Sequence, residues 1–184
     1  MFKKHKMILL QFCVMFLAIL SCGYHSCDDV EKEILTDPDM WSKTQEPTKN
    51  IVSIHKIIKY RRGEGVEKTI KSYFEDDVCI NKIQELDSSE IKSIEAIPMQ
   101  DDDSSFNLKL NLTERGVKYW IALSIESKGS NLAFVVDGML YRRFKPRLIY
   151  DDETTSVIVD GPFDRATAMG IQNQSKLNYY KLRK

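Results

Sequence analysis

The sequence predicts an α+β fold: an antiparallel β-sheet with two helices packed on one face, preceded by a signal peptide and a flexible tether. Three observations carry this. Phe106, Leu108, Leu110 and Leu112 stand two apart with Asn107, Lys109 and Asn111 between them, the period of a strand with one buried face. Directly after it, Val117, Trp120, Ile121 and Ser124 recur at helical spacing, with Ile125 on the flank. Further on, Asp137-Gly138 separates two apolar runs, the signal of a hairpin turn needing positive φ at both positions.

The front of the chain stands apart from that domain. Lys3, Lys4 and Lys6 precede an apolar run, Met7 to Leu20, broken only by Gln11. Spanning a bilayer takes about 20 residues, so this run has the size of a signal-peptide core. The small residues after it, Ser21-Cys22-Gly23, resemble the acceptor of a bacterial lipoprotein signal. The resemblance implies acylation of the Cys22 thiol (palmitate among the chains), cleavage before it, and a partner in the lipid bilayer. An ordinary signal peptide or an uncleaved anchor is the competing reading.

Residues 22–48 read as a tether. Asp28, Asp29, Glu31 and Glu33 make it acidic, and Pro38 and Pro47 interrupt any helix. A short helix around Val30 to Leu35 fits, and Trp41 is the residue that suits docking, either on the domain or at a membrane interface. Residues 49–184 form the expected domain. Ile51, Ile54, His55 and Ile58 fit a helix face, while Val52, Ile54, Ile58 and Tyr60 fit a strand; β-branched content favours the strand. Arg61-Arg62-Gly63-Glu64-Gly65 reads as a turn. Thr69–Phe74, Val78–Ile83 and residues 91–99 supply further strands, and Asp101 to Ser105 a connecting loop.

Thr113 is placed to cap the first helix, about 114–128, with Glu114 in the first turn and Gly129 past its end. Leu132 to Val136 is apolar on both faces, hence central, and Met139 to Phe144 returns as its partner. Ser156 to Val159 is a short strand. Asp164 caps a helix from Arg165 to about Leu177, with Phe163 as a staple and Gly170 as a point of close approach.

The stretch from about Asp87 to Leu177 resembles the head subdomain of the large extracytoplasmic loop of SecD, in the SecDF protein-export machinery. The motifs are Leu112-Thr113-Glu114-Arg115-Gly116, Val136-Asp137-Gly138, and Gly161-Pro162-Phe163 with Ala166, entered through Leu86-Asp87-Ser88-Ser89-Glu90-Ile91. These are turn and cap residues, so they speak for architecture before activity. The resemblance implies a non-enzymatic module in the cell envelope, facing the periplasm or exterior. Its expected partner is an exported polypeptide or an envelope protein, taken by strand addition to a sheet edge. No further membrane-spanning run follows residue 21, so any role in export is accessory. The alternative is a small extracytoplasmic enzyme whose site is assembled from scattered residues.

Composition limits the rest. The 184 residues carry 27 basic and 27 acidic groups; loss of residues 1–21 removes three lysines and no acid, leaving a net charge of −3. That gives no basis for nucleic-acid binding. Cys13 and Cys22 belong to the front end, so Cys27 and Cys79 are the pair an oxidising compartment would allow, or else Cys79 is a small apolar strand residue. No cofactor motif and no zinc spacing appears, and His25 and His55 read as solvated. Asp101 to Asp103 and Asp151-Asp152-Glu153 read as solvated turns rather than cation sites. One run stands out as partner-binding: Tyr141, Arg142, Arg143, Lys145 and Arg147. Outside the cytoplasm it suits anionic lipid headgroups or an acidic segment, and otherwise it is the polar face of an edge strand.

Overall fold

The computed structural model describes residues 29–60, 63–74, 76–100, 102–149 and 154–183. Residues 1–28, which include Cys22, Cys27, His25 and the expected signal peptide, lie outside the described residues, as do Arg61, Arg62 and 150–153. Mixed α+β character with antiparallel sheets is as expected, but the strands divide among three sheets instead of one. One sheet has the order β4-β1-β7-β8, built from Val52–Lys56 (β1), Leu86–Asp87 (β4), Leu132–Val136 (β7) and Met139–Phe144 (β8). A second pairs Glu67–Ile70 (β2) with Val78–Asn81 (β3). The third has the order β5-β6-β9, from Ile91–Met99, Asp102–Leu112 and Ser156–Asp164. Helices run over Asp29–Thr36 (α1), Pro38–Lys43 (α2), Glu114–Glu126 (α3) and Arg165–Leu182 (α4).

Side-chain alternation explains the layering. Phe106, Leu108, Leu110 and Leu112 of β6 are all buried, in one core with Val157, Val159 and Phe163 of β9 and with Val52, Ile54 and Phe134 of the four-stranded sheet. The other parity of β7 points the opposite way: Ala133 and Val135 join Ile70, Val78 and Ile80 in a second core, under the β2–β3 hairpin. A strand that is apolar at every position is thus one covered on both faces. The hairpin turn closes with φ of 50° at Asp137 and 82° at Gly138. The Asp137 carboxylate accepts from the backbone N–H of Asn50 and Ile51 at 3.0 and 2.8 Å, tying the turn to the entry of β1.

Both domain helices start where the caps direct. Thr113 Oγ1 accepts from Gly116 N at 2.9 Å, and Asp164 Oδ1 from Thr167 N at 3.0 Å. The buried face of α3 is Gly116, Val117, Trp120, Leu123 and Ser124. Leu123, which the expected pattern left out, completes that face, while Ile125, expected on its flank, is exposed: at about 100° per residue it falls nearly half a turn from 116, 120 and 123. The second helix runs to Leu182, beyond the expected end at Leu177, because Asn178 and Tyr179 are buried. Asn178 Nδ2 donates to the carbonyls of Lys49 and Asn50. A Cβ at Gly170 would meet the Asn50 side chain, so the close approach there is to the loop before β1 rather than to the sheet.

Residues 29–46, expected to be tether with a short helix around Val30 to Leu35, carry that helix and a second one. Val30 and Ile34 of α1 are buried against Tyr179 of α4, and Glu33 pairs with Lys176 and Glu31 with Arg183. Pro38 interrupts the helix as expected, since α1 ends at Thr36, and it then opens α2. It occupies the first helical turn, where its missing N–H is no loss, and Asp37 Oδ1 accepts from Asp39 N. The side chain of Trp41 lies outside the described residues. The expected loop Asp101 to Ser105 is shorter than read: β6 begins at Asp102, which pairs with Met99, and the Asp102 carboxylate accepts from Ser104 and Ser105. The strand expected at 156–159 continues to Asp164.

His55 is the clearest departure. It is 2% exposed, with Nδ1 2.8 Å from the Asn81 carbonyl and Nε2 3.0 Å from Ser53 Oγ. Nδ1 must carry the proton, since a carbonyl only accepts. Burial pushes the ring below its ordinary value, against the pull of the Asn81 hydrogen bond. The unfolded chain then binds a proton that the folded chain refuses, so stability is full above the ordinary histidine value of about 6.5 and falls below it. Unfolding free energies from urea titrations between pH 7.5 and 5 are expected to drop with a slope of up to about 1.4 kcal/mol per pH unit, and His55→Gln to flatten it. An unchanged slope in the variant would assign the effect elsewhere.

Candidate functional site

The basic run does not form one patch. Alternation along β8 and a bulge between its pairing with Phe134 and Val135 send its side chains in different directions. Tyr141 is buried: its ring stacks on Phe163 at 5.1 Å and its hydroxyl donates to Asp164 Oδ2. Burial raises its pKa, and the Asp164 carboxylate adds to the shift. Arg142 lies over the Phe163 ring and donates to the Pro162 carbonyl at 2.9 Å. Arg143 donates to the Asp76 carbonyl and, with Lys145, lines a cleft shared with Lys56, Lys59 and Tyr60. Arg147 pairs with Asp160 of β9 at 2.5 Å. Cys22 lies outside the described residues, and Cys79 stands half-buried in β3 opposite Thr69.

The sheet edges distinguish themselves more sharply. Strand β5 is an edge, but α4 lies along it. Ile94 N donates to Ser175 Oγ at 3.0 Å and Ala96 N to Gln172 Oε1 at 2.7 Å. Pro98, next in that parity, has no N–H to offer. The edge of β8 is met by the chain at 71–73: Leu140 N donates to the Lys71 carbonyl and accepts at its own carbonyl from Tyr73 N. Strand β2 is only four residues long, and Lys68 and Thr69 stand exposed on it.

The outer edge of β9 is different. Leu112 N donates to the Thr155 carbonyl at 2.8 Å, which fixes which residues face β6. Antiparallel pairs alternate, so Val157 and Val159, opposite Leu110 and Leu108, also bond to β6. The N–H and C=O groups of Ser156 and Ile158 must then point outward. Among the described residues nothing takes them. This reading of the parity agrees with β5, whose outward groups are the ones α4 satisfies. The open stretch ends at Asp160, held by Arg147, and at Gly161, whose N–H donates to Asn107 Oδ1 at 2.6 Å. The side chains of Ser156 and Ile158 share a half-buried polar face with Lys109 and Asn111, where both reach Glu95. The Asn111 hydrogen bond, then Lys109, holds the Glu95 carboxyl below the usual range.

Sequence reasoning missed this edge, although the polar residues between the leucines of β6 marked its face. Which strand would be left without a neighbour depends on sheet order. Among the described residues no three metal-ligating side chains come together, and no helix is long and apolar enough to cross a membrane.

No family model and no curated relative matches the chain. It is similar to solved structures of SecDF. One, described as a membrane component that enhances protein export, has a TM-score of 0.49 and 14% identity over 77% of this chain and 69% of that one. A second, SecDF in a super-membrane-facing form, has a TM-score of 0.48 and 14% identity over 78% of this chain and 21% of that one. A third, a translocon-associated SecDF from Thermus thermophilus, has a TM-score of 0.40 and 10% identity over 93% of this chain and 34% of that one. These values assign no activity to the chain.

Proposed function

We propose that the domain is a binding module that takes an extended polypeptide segment on the outer edge of β9. The single observation behind the reading is the outward pair of unpartnered backbone groups at Ser156 and Ile158, on a sheet whose other edge is sealed by α4. An added antiparallel strand would make two bonds with each residue, each worth about 0.5–1.5 kcal/mol net. Backbone recognition of this kind is tolerant of sequence, as a handler of many segments requires. The resemblance of the Thr113, Asp137 and Gly161 motifs to the SecD head suggests the setting, an accessory to protein export on the outer side of the membrane. Acylated Cys22 would hold it there.

Ile158→Pro tests the edge. It removes an N–H that faces outward and leaves the β6 bonds of Val157 and Val159 in place. A photo-crosslinkable peptide of alternating apolar and polar residues is expected to label β9 in the wild type and to lose most of that labelling in the variant, with circular dichroism unchanged. Equal labelling of a folded Ile158→Pro protein would remove the proposal. The anchor has its own check. Radiolabelled palmitate is expected in the wild type in cells and absent from Cys22→Ala, and equal incorporation would refute it.

A further inference from the structure

The cleft beside β1, about 610 Å³, gathers lysines and an arginine from two segments distant in sequence: Lys56 and Lys59 from the end of β1 and the loop after it, and Arg143 and Lys145 from the end of β8 and just beyond it. Lys56 is held by Glu126 at 2.6 Å and Glu85 at 3.4 Å, so its charge is answered. Lys59 and Lys145 are held in no ion pair among the described residues. Among the described residues, those lining the cleft include no carboxylate, while Asn81, Ser130 and Asn131 supply further polar groups. Tyr60 stands at the rim with 84% of its surface exposed. Two unanswered lysines, hydrogen-bonding neighbours and a projecting amphipathic ring suit an anionic group carried at an apolar–water boundary.

We propose that this cleft binds the phosphate headgroup of an anionic phospholipid, with Tyr60 entering the interfacial layer. The site would lay the domain against the bilayer, and it rests on the expectation that the front end of the chain keeps the protein there. The β9 edge lies in a different sheet, so the two readings can fail separately.

Full-length protein reconstituted into vesicles is the test, with a membrane-impermeant amine reagent as the probe. On vesicles containing phosphatidylglycerol, modification of Lys59 and Lys145 is expected to fall about fivefold or more relative to phosphatidylcholine vesicles, from the attraction of one lysine to an anionic surface. Lys109, on the polar face of the other sheet, is expected to react equally in both and serves as the folding control. Raising the salt is expected to restore modification. Equal reaction of Lys59 and Lys145 on the two vesicle types would overturn the proposal. Equal protection by inorganic phosphate on phosphatidylcholine vesicles would also overturn it, by making the cleft a site for a free anion. A Lys59→Gln/Lys145→Gln protein should lose the lipid-dependent protection of Lys56, while peptide crosslinking at β9 continues.

Discussion

Replacing Trp120 by alanine is expected to lower the unfolding free energy by about 3–5 kcal/mol, a large fraction of what a domain of this size possesses. Trp120 is fully buried and stacks on Phe144 with 6.2 Å between ring centroids. Its indole Nε1 donates to the Arg147 carbonyl at 3.0 Å. It therefore joins α3 to the core and also pins the strand-free segment after β8. Trp120→Phe separates these roles. It keeps most of the apolar volume and leaves a carbonyl unanswered, for an expected loss of about 1–3 kcal/mol. Urea denaturation followed by circular dichroism measures both. A loss below about 1 kcal/mol for the alanine variant would mean that α3 is not held by this side chain. A functional effect should accompany the energetic one: Arg147 steadies Asp160 at the end of the open β9 edge, so freeing its backbone should weaken peptide crosslinking before the domain unfolds.

The parts of this fold that were legible in the sequence are those set by local physics. Alternation from Phe106 to Leu112 named a strand and its buried face, and the structure buries those residues. Asp137-Gly138, Thr113 and Asp164 named a turn and two helix starts through the conformations and hydrogen bonds their own side chains provide. The uninterrupted apolar run at β7 announced a strand covered on both sides, but it could not say by what. The answer was the β2–β3 hairpin, a segment whose own sequence was ambiguous.

What stayed hidden depends on contacts distant in sequence. His55 looked like a surface residue because its partners are the Asn81 carbonyl, 26 positions away, and a serine two positions before it. A short helix around Val30 to Leu35 was legible in the sequence. That it docks on Tyr179, at the far end of the chain, was not. The candidate site divides in the same way. The run from Tyr141 to Arg147 was conspicuous by composition, yet strand alternation and one bulge distribute it to a buried aromatic stack, a lysine-lined cleft and an ion pair with Asp160. An open sheet edge has no residue signature at all, since it is made of backbone.

The glycine at 161 brings these lines together, and its replacement is the second large effect expected. A Cβ built there would lie 2.1 Å from the Phe106 carbonyl oxygen and 3.0 Å from its carbon. The obstacle is the backbone of β6, not the end of a side chain that could turn aside, so β9 must move outward. Overpacking in a fitted core loses about 1–3 kcal/mol, and Gly161→Ala should fall at or above the top of that range. Gly65→Ala is the matched control, because nothing lies within 4 Å of its Cβ position and no effect is expected. Hydrogen exchange locates the damage. Val159, the β9 residue nearest the contact that bonds to Leu108, should lose protection more than Val157, which pairs with Leu110 farther along. If Gly161→Ala and Gly65→Ala unfold at the same denaturant concentration, the close approach of β9 to β6 is not a constraint on the fold. If instead Gly161→Ala is destabilised and exchange quickens from Val159 outward, one residue sets the register in which the Ser156 and Ile158 backbone is presented. The motif glycine would then be kept for the position of the binding edge as much as for the stability of the core.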